Sequence, residues 1–227
     1  MTTVRTRIYI DGYNFYHACC KNSKHKWVNP KTVAEILLPG HKIDRVYFFT
    51  AAVIPQPHDP SKRQRQYVYW RALKTVPEIT IVEGKFLELP KRLPWAAPLW
   101  LRNLKKWCCK YPRLRRYMHP ILVKVWKTEE KGSDVNLATQ LLLDAVDDAF
   151  DCAVVISNDS DLTTPICVVK KRFKKKIGIL CGHDHPSRAL QKEIHFIKVI
   201  RDGVLAASQF PPNLADSLGP FHKPPTW

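Results

Sequence analysis

Ala153-Val154-Val155-Ile156-Ser157-Asn158-Asp159-Ser160-Asp161-Leu162 joins a short β-branched apolar run to a polar turn with two carboxylates two positions apart. The apolar half reads as a strand buried on both faces, as in a parallel sheet covered by helices. The polar half then falls at that strand's carboxyl end. Two anions held close together repel unless a cation lies between them. Asp159 and Asp161 therefore mark either a metal site or a solvated turn, and the rest of the chain has to decide between these.

Upstream, Arg5 to Ile10 forms a first apolar strand that ends in Asp11-Gly12-Tyr13-Asn14. Gly12 permits a tight turn, and Asn14 is suited to cap the helix that follows. The pattern predicts a helix over Pro30–Leu38, a strand over Asp44–Val53, a basic aromatic helix over Ser61–Thr75 and a strand over Ile79–Val82. Further on, Ile121–Trp126 returns as a strand. Ser133 is placed to cap a helix from Asp134 to Ala149, whose apolar positions fall on one face. After the Asp159/Asp161 turn come a helix to about Arg172 and a strand over Ile177–Leu180. That strand ends in Cys181-Gly182-His183-Asp184-His185, and a last short strand and helix lie within Gln191–Ser208. Strands alternating with helices imply a three-layer α/β fold, Rossmann-like, around a mostly parallel sheet with right-handed crossovers. Residues 1–208 are expected to be one domain, and 209–227, with five prolines, a tail.

The charge is lopsided. Thirty-seven Lys and Arg face 20 Asp and Glu, a net +17, more than solubility needs and a sign of a polyanionic partner. Much of it sits in an insertion at about 85–124, where eleven basic residues meet one acidic residue, Glu88. Arg102, Lys105, Lys106, Arg115 and Arg116 lie there among Trp107 and other aromatic residues, an interleaving suited to single-stranded nucleic acid. Prolines interrupt any clean amphipathic period, which speaks against a membrane-surface role. Cys108, Cys109 and His119 make a poor zinc set, since adjacent cysteines serve one tetrahedral ion badly and no Cys-x-x-Cys pair exists. Seven cysteines, an odd number, fit a reduced cytoplasmic setting, and no apolar stretch is long enough to span a membrane.

In an open parallel sheet, sites form outside the carboxyl ends of the strands. Asp11 and the Asp159/Asp161 pair follow separate predicted strands, and Asp134 opens a helix that starts at the same edge. Four carboxylates at one edge of a basic protein suit Mg²⁺ or Mn²⁺, both hard cations that prefer oxygen ligands. Metal-assisted phosphodiester hydrolysis fits the acids and the basic surround together.

Ile-Asp-Gly-Tyr-Asn at 10–14, Glu-Lys-Gly-Ser-Asp-Val at 130–135 and Ser-Asn-Asp-Ser-Asp-Leu at 157–162 resemble, in order, the motifs of the NYN domain family, LabA/DUF88 group, of the PIN-like ribonucleases. The resemblance implies a PIN-like fold and a metal-dependent endoribonuclease, a hydrolase that cuts RNA with Mg²⁺ or Mn²⁺. Carried over by motif, Asp11, Asp134, Asp159 and Asp161 would hold the metal, and Asn14 would position Asp11 or a phosphate. Asn158 and Ser157 would support the turn, with Asn158 near the substrate, and Lys131 would contact the scissile phosphate. Single-stranded RNA is the favoured partner, with DNA and a homo-oligomer left open and no membrane. The rivals are an RNA-binding module of the same fold without catalysis, a DNA-directed nuclease, and a HAD-like phosphatase. The last needs a second acid two residues after Asp11, where this chain has Tyr13.

Overall fold

The structure is a computed structural model that describes residues 3–55, 57–94, 122–182, 187–225 and 227. Six strands make one sheet: β1 (Val4–Asp11), β2 (His41–Thr50), β3 (Ile79–Glu83), β6 (Cys152–Ile156), β7 (Lys176–Cys181) and β8 (Phe196–Val199). Their order is β3-β2-β1-β6-β7-β8, and every pairing is parallel. The order reverses between β1 and β6, where Ile10 lies beside Ile156. The crevice at such a reversal is where open α/β sheets bind ligands.

Helices cover both faces, which is why β6 is apolar at every position, and β1 from Ile8 to Ile10, rather than at alternate ones. Alternation along β1 and β6 still sorts the side chains. Ile8, Ile10, Val154 and Ile156 point into one buried layer, with Phe48, Tyr69, Trp70 and Trp27. Tyr9, Ala153 and Val155 point into the other, with Phe49, Leu137, Leu141 and Ile166. The second layer is roofed by α4 (Ser133–Val146) and α5 (Thr163–Arg172). The first is covered by α2 (Pro30–Leu37) and α3 (Lys62–Lys74). Among the described residues, short helices α1 (Gly12–Phe15), α6 (Arg188–Gln191) and α7 (Asp202–Ala207) complete the set, and α1 runs on into a π-helical turn over Tyr16–Cys20.

Several boundaries differ from the sequence reading for definable reasons. Asn14 does not cap the first helix. Asp11 does, its Oδ1 accepting from the Asn14 backbone N–H at 2.9 Å. Ser133 is likewise inside α4 rather than at its cap, a place taken by Gly132 at φ 93°, and the Ser133 hydroxyl donates to Glu130 instead. The helix predicted to reach Ala149 stops at Val146, and Asp148 adopts φ 52° just beyond it. β2 ends at Thr50 because the Gln66 side chain takes over the next backbone groups, bonding Ala51 O at 2.9 Å and Val53 N at 2.8 Å.

The last residues hold a hairpin of β9 (Asn213–Asp216) and β10 (Gly219–His222) where proline content suggested an irregular tail. Arg71 of α3 holds Asp216 through two nitrogens, at 2.7 and 2.6 Å, and lies over the Phe221 ring at 4.3 Å. The Trp27 indole donates to Pro211 O at 2.9 Å, and the Trp227 ring meets those of Trp27 and Tyr69.

Residues 87–129 form a second compact unit. Two strands reach into it and pair with one another, β4 (Lys85–Pro94) and β5 (Leu122–Lys131). The pairing extends both strands well beyond the single short one predicted at 121–126. Arg102, Lys105, Lys106, Trp107, Cys108, Cys109, Arg115, Arg116 and His119 lie outside the described residues, as do His183, Asp184 and His185. Among the described residues no helix is long and apolar enough to cross a membrane.

Candidate active site

β1 delivers Asp11 to the carboxyl edge of the sheet, where the side chain is 8% exposed. Both of its oxygens are engaged by neutral donors, Oδ1 by Asn14 N–H and Oδ2 by the Ser157 hydroxyl at 3.2 Å. Ser157 lies at the end of β6 and is buried, and its Oγ also accepts from Asp159 N–H at 3.1 Å. One hydroxyl thus locks the first acid to the turn that carries two more. In that turn Asp159 Oδ1 accepts from Asp161 N–H at 2.9 Å, and Asn158 Oδ1 accepts from Ser187 N–H at 2.6 Å. Asn158 therefore braces the turn against the start of α6. The Asn14 contact to Asp11 runs through its backbone N–H.

Asp134 and Glu130 complete the group. Asp134 occupies the first turn of α4, where the helix dipole favours a carboxylate. Glu130 lies near the end of β5, half-buried, and receives the Ser133 hydroxyl. Burial pushes the Asp11 carboxyl up to about 6 despite its two hydrogen bonds, and the charges of Asp134 and Glu130 push the same way. Burial also raises Asp134, with the charges of Asp159 and Asp161 adding to it. Burial raises Glu130 and Asp134 adds to that, while Ser133 works against both. Five carboxylates thus share one electrostatic neighbourhood, coming from β1, β5, α4 and the β6 turn. Among the described residues, no three His, Cys, Asp or Glu side chains already converge as a metal-holding group.

Glu130 is the residue that sequence reasoning missed. It stands inside the Glu-Lys-Gly-Ser-Asp-Val stretch, and a signal was present in its place four residues before Asp134 and just ahead of a glycine turn. Gly84 lets that turn approach, since a Cβ there would sit 2.7 Å from Ser133 Oγ and 3.0 Å from Lys131 O. Gly12 does the same for Asp11, because a Cβ would fall 2.8 Å from the Phe49 carbonyl oxygen. Lys131 is exposed beside Glu130.

Three motifs, one parallel sheet and a shared acid edge at the reversal of strand order agree with one family model. The NYN domain model matches residues 99–201 of the chain. NYN is a PIN-like, nuclease-type domain. The NYN match takes in Glu130, Asp134, Asp159 and Asp161, whereas Asp11 precedes it and joins them only through the fold. Beyond the NYN match, the chain is 28% identical to 6-hydroxy-3-succinoylpyridine 3-monooxygenase HspA of Pseudomonas putida. That alignment takes in 99% of this chain and 75% of the relative. In architecture it resembles a Vibrio parahaemolyticus protein of unknown function, with TM-score 0.52 and 14% identity over 88% of this chain and 94% of that one. The structural likeness speaks for the fold alone.

Proposed function

We propose that this protein is a metal-dependent endoribonuclease that hydrolyses phosphodiester bonds in single-stranded RNA. The observation that carries the reading is the set of five carboxylates at the strand-order reversal, where the charge of Asp134 raises Asp11 and Glu130 and the charges of Asp159 and Asp161 raise Asp134. An anionic cluster of this kind is costly unless a cation joins it. The donor set fits Mg²⁺ or Mn²⁺, being all oxygen, all carboxylate and without sulfur or imidazole. Asp11, Glu130, Asp134, Asp159 and Asp161 would hold the ion or ions. When bound, such an ion acts as a Lewis acid and lets water lose a proton near neutral pH.

The chain's own residues supply position and field. Ser157 and the Asn14 N–H fix both oxygens of Asp11, so the acid is set before substrate arrives. The exposed Lys131 draws a phosphate toward the acids. The basic segment at 85–124 adds affinity for the RNA backbone. The test is cleavage of a labelled single-stranded RNA in Mn²⁺, in Mg²⁺ and in EDTA. Asp159→Asn and Glu130→Gln are expected to lose at least about a hundredfold in rate, and EDTA to abolish cutting. Wild-type rates in both variants would sink the reading.

A second reading, monooxygenation of a small aromatic acid, is favoured by one observation: the monooxygenase relative aligns along nearly the whole chain. It requires O₂ and a reduced nicotinamide or flavin. Oxygen uptake with a hydroxypyridine and such a reductant, absent RNA cleavage, would select it.

A further inference from the structure

The acid edge adjoins an open cleft with about 140 Å³ of room, close to what a cavity that takes one aromatic ring provides. Gly12 and Glu130 line it, so it begins beside Asp11. Its lining is aromatic. Phe48, Tyr69 and Trp70 are buried side chains of the sheet layer, and Tyr13 and Trp227 are less enclosed. Tyr13 is 52% exposed, and the His17 ring lies beside it at 4.3 Å, tilted by 40°. Such a ring is free to stack on a flat guest.

The charges along the cleft are unequal in their commitments. Of its carboxylates, Asp59 is paired with Arg65 at 2.5 Å and Glu130 is bonded to Ser133. Lys26 and Lys62 also line it, both partly buried; among the described residues neither ammonium makes a hydrogen bond or ion pair, although the charge of Lys62 acts on Asp59. Two cations with no carboxylate in direct contact among the described residues, beside aromatic walls, match an anion attached to a flat ring. The cleft and the acid edge share Gly12 and Glu130, so a ring in one lies next to a phosphate at the other.

We propose that this cleft receives one unpaired nucleobase of the RNA beside the phosphodiester being cut, with Lys62 and Lys26 holding the adjoining phosphate. The identity of the guest rests on the endoribonuclease reading. The cleft then explains a preference for single strands, since a base must be unstacked and unpaired to enter it.

The test is calorimetric titration of the full chain in EDTA with adenosine 5′-monophosphate, uridine 5′-monophosphate, ribose 5-phosphate and nicotinate, run beside the metal-dependent RNA cleavage assay. Both nucleotides are expected to bind at least tenfold more tightly than ribose 5-phosphate. Lys62→Ala and Tyr13→Ala, both at accessible positions, are expected to weaken nucleotide binding fivefold or more while leaving the melting temperature in place. Nucleotides that bind no better than ribose 5-phosphate, or equally in the variants, would overturn the pocket even if RNA is cut. Nicotinate binding more tightly than the nucleotides would also overturn it, in favour of a small aromatic acid. Nucleotide binding intact but RNA uncut in Mn²⁺ would remove the nuclease reading and leave a base-binding cleft.

Discussion

Asp11 concentrates the cost of the site. Its carboxyl is raised to about 6 by burial and by its acidic neighbours, against an ordinary 3.8. A raised acid favours the folded state fully below the ordinary value, and that contribution is lost as pH climbs through the folded value. Above about pH 6 the ionised, desolvated Asp11 therefore weighs against the fold. The expected size, from the shift, is roughly 3 kcal/mol at most. Asp11→Asn keeps a side chain able to cap α1 and removes the charge. In EDTA at pH 7.5 this variant should melt a few degrees above wild type, and the gap should close as pH falls below about 4. It should also be inactive. A variant that melts lower at pH 7.5 would show that the site is not strained by charge. Among the proposed site residues, the placement of Asp11, Asp134, Asp159 and Asp161 was legible because each sits at a strand end or helix start. Glu130 was not, because its neighbourhood is decided by Ser133 turning its hydroxyl away from a cap and toward it.

At the scale of elements, α4 is tied to the sheet by a buried polar knot. Asp144, 3% exposed, accepts from Tyr9 hydroxyl at 2.6 Å and from Gln140 at 2.7 Å, and pairs with Arg7 at 3.0 Å. The knot sits on the helix whose first turn bears Asp134, so it fixes where that acid falls relative to β1. Asp144→Ala would leave the Tyr9 hydroxyl without its acceptor and Arg7 with the looser Asp44 pair at 3.6 Å, a loss of about 3 kcal/mol by urea denaturation. Asp144→Asn keeps an acceptor for Tyr9 and should cost clearly less. Equal losses would assign the effect to packing. Hydrophobic period predicted α4 well, since Leu137, Leu141 and Ala145 carry its buried face. It could not predict the helix end, which depends on Asp148 turning to φ 52°. The β9–β10 hairpin was hidden for a different reason. Four residues a side, set in a stretch with five prolines over 209–227, carry little pattern, and the hairpin is held by Arg71 on a distant helix.

The whole molecule carries +17, and nucleic acid should feel it at long range. Binding of single-stranded RNA in EDTA should fall at least about tenfold as salt rises from about 50 to 200 mM, in a straight line on logarithmic axes. Residues 87–129 are a compact unit of their own, and β4 and β5 lead into it side by side. Joining these strands by a short Gly-Ser turn in place of residues 95–121 should leave the melting of the larger unit nearly unchanged and flatten the salt slope. An unchanged slope would place the RNA contacts elsewhere.

By itself the sequence determined the alternation of strands and helices, the acids at the strand ends and the excess of positive charge. These follow from local pattern, because burial on both faces demands continuous apolar strands and a turn after such a strand must be polar. The tertiary structure alone decided the strand order, and with it which strand ends become neighbours. It brought Asp11 beside a turn 146 residues away through Ser157, added Glu130 to the acids and set an aromatic cleft next to them. None of this lies in local pattern, since it depends on which strands pair and on how hydroxyls and rings are shared between segments far apart in the chain.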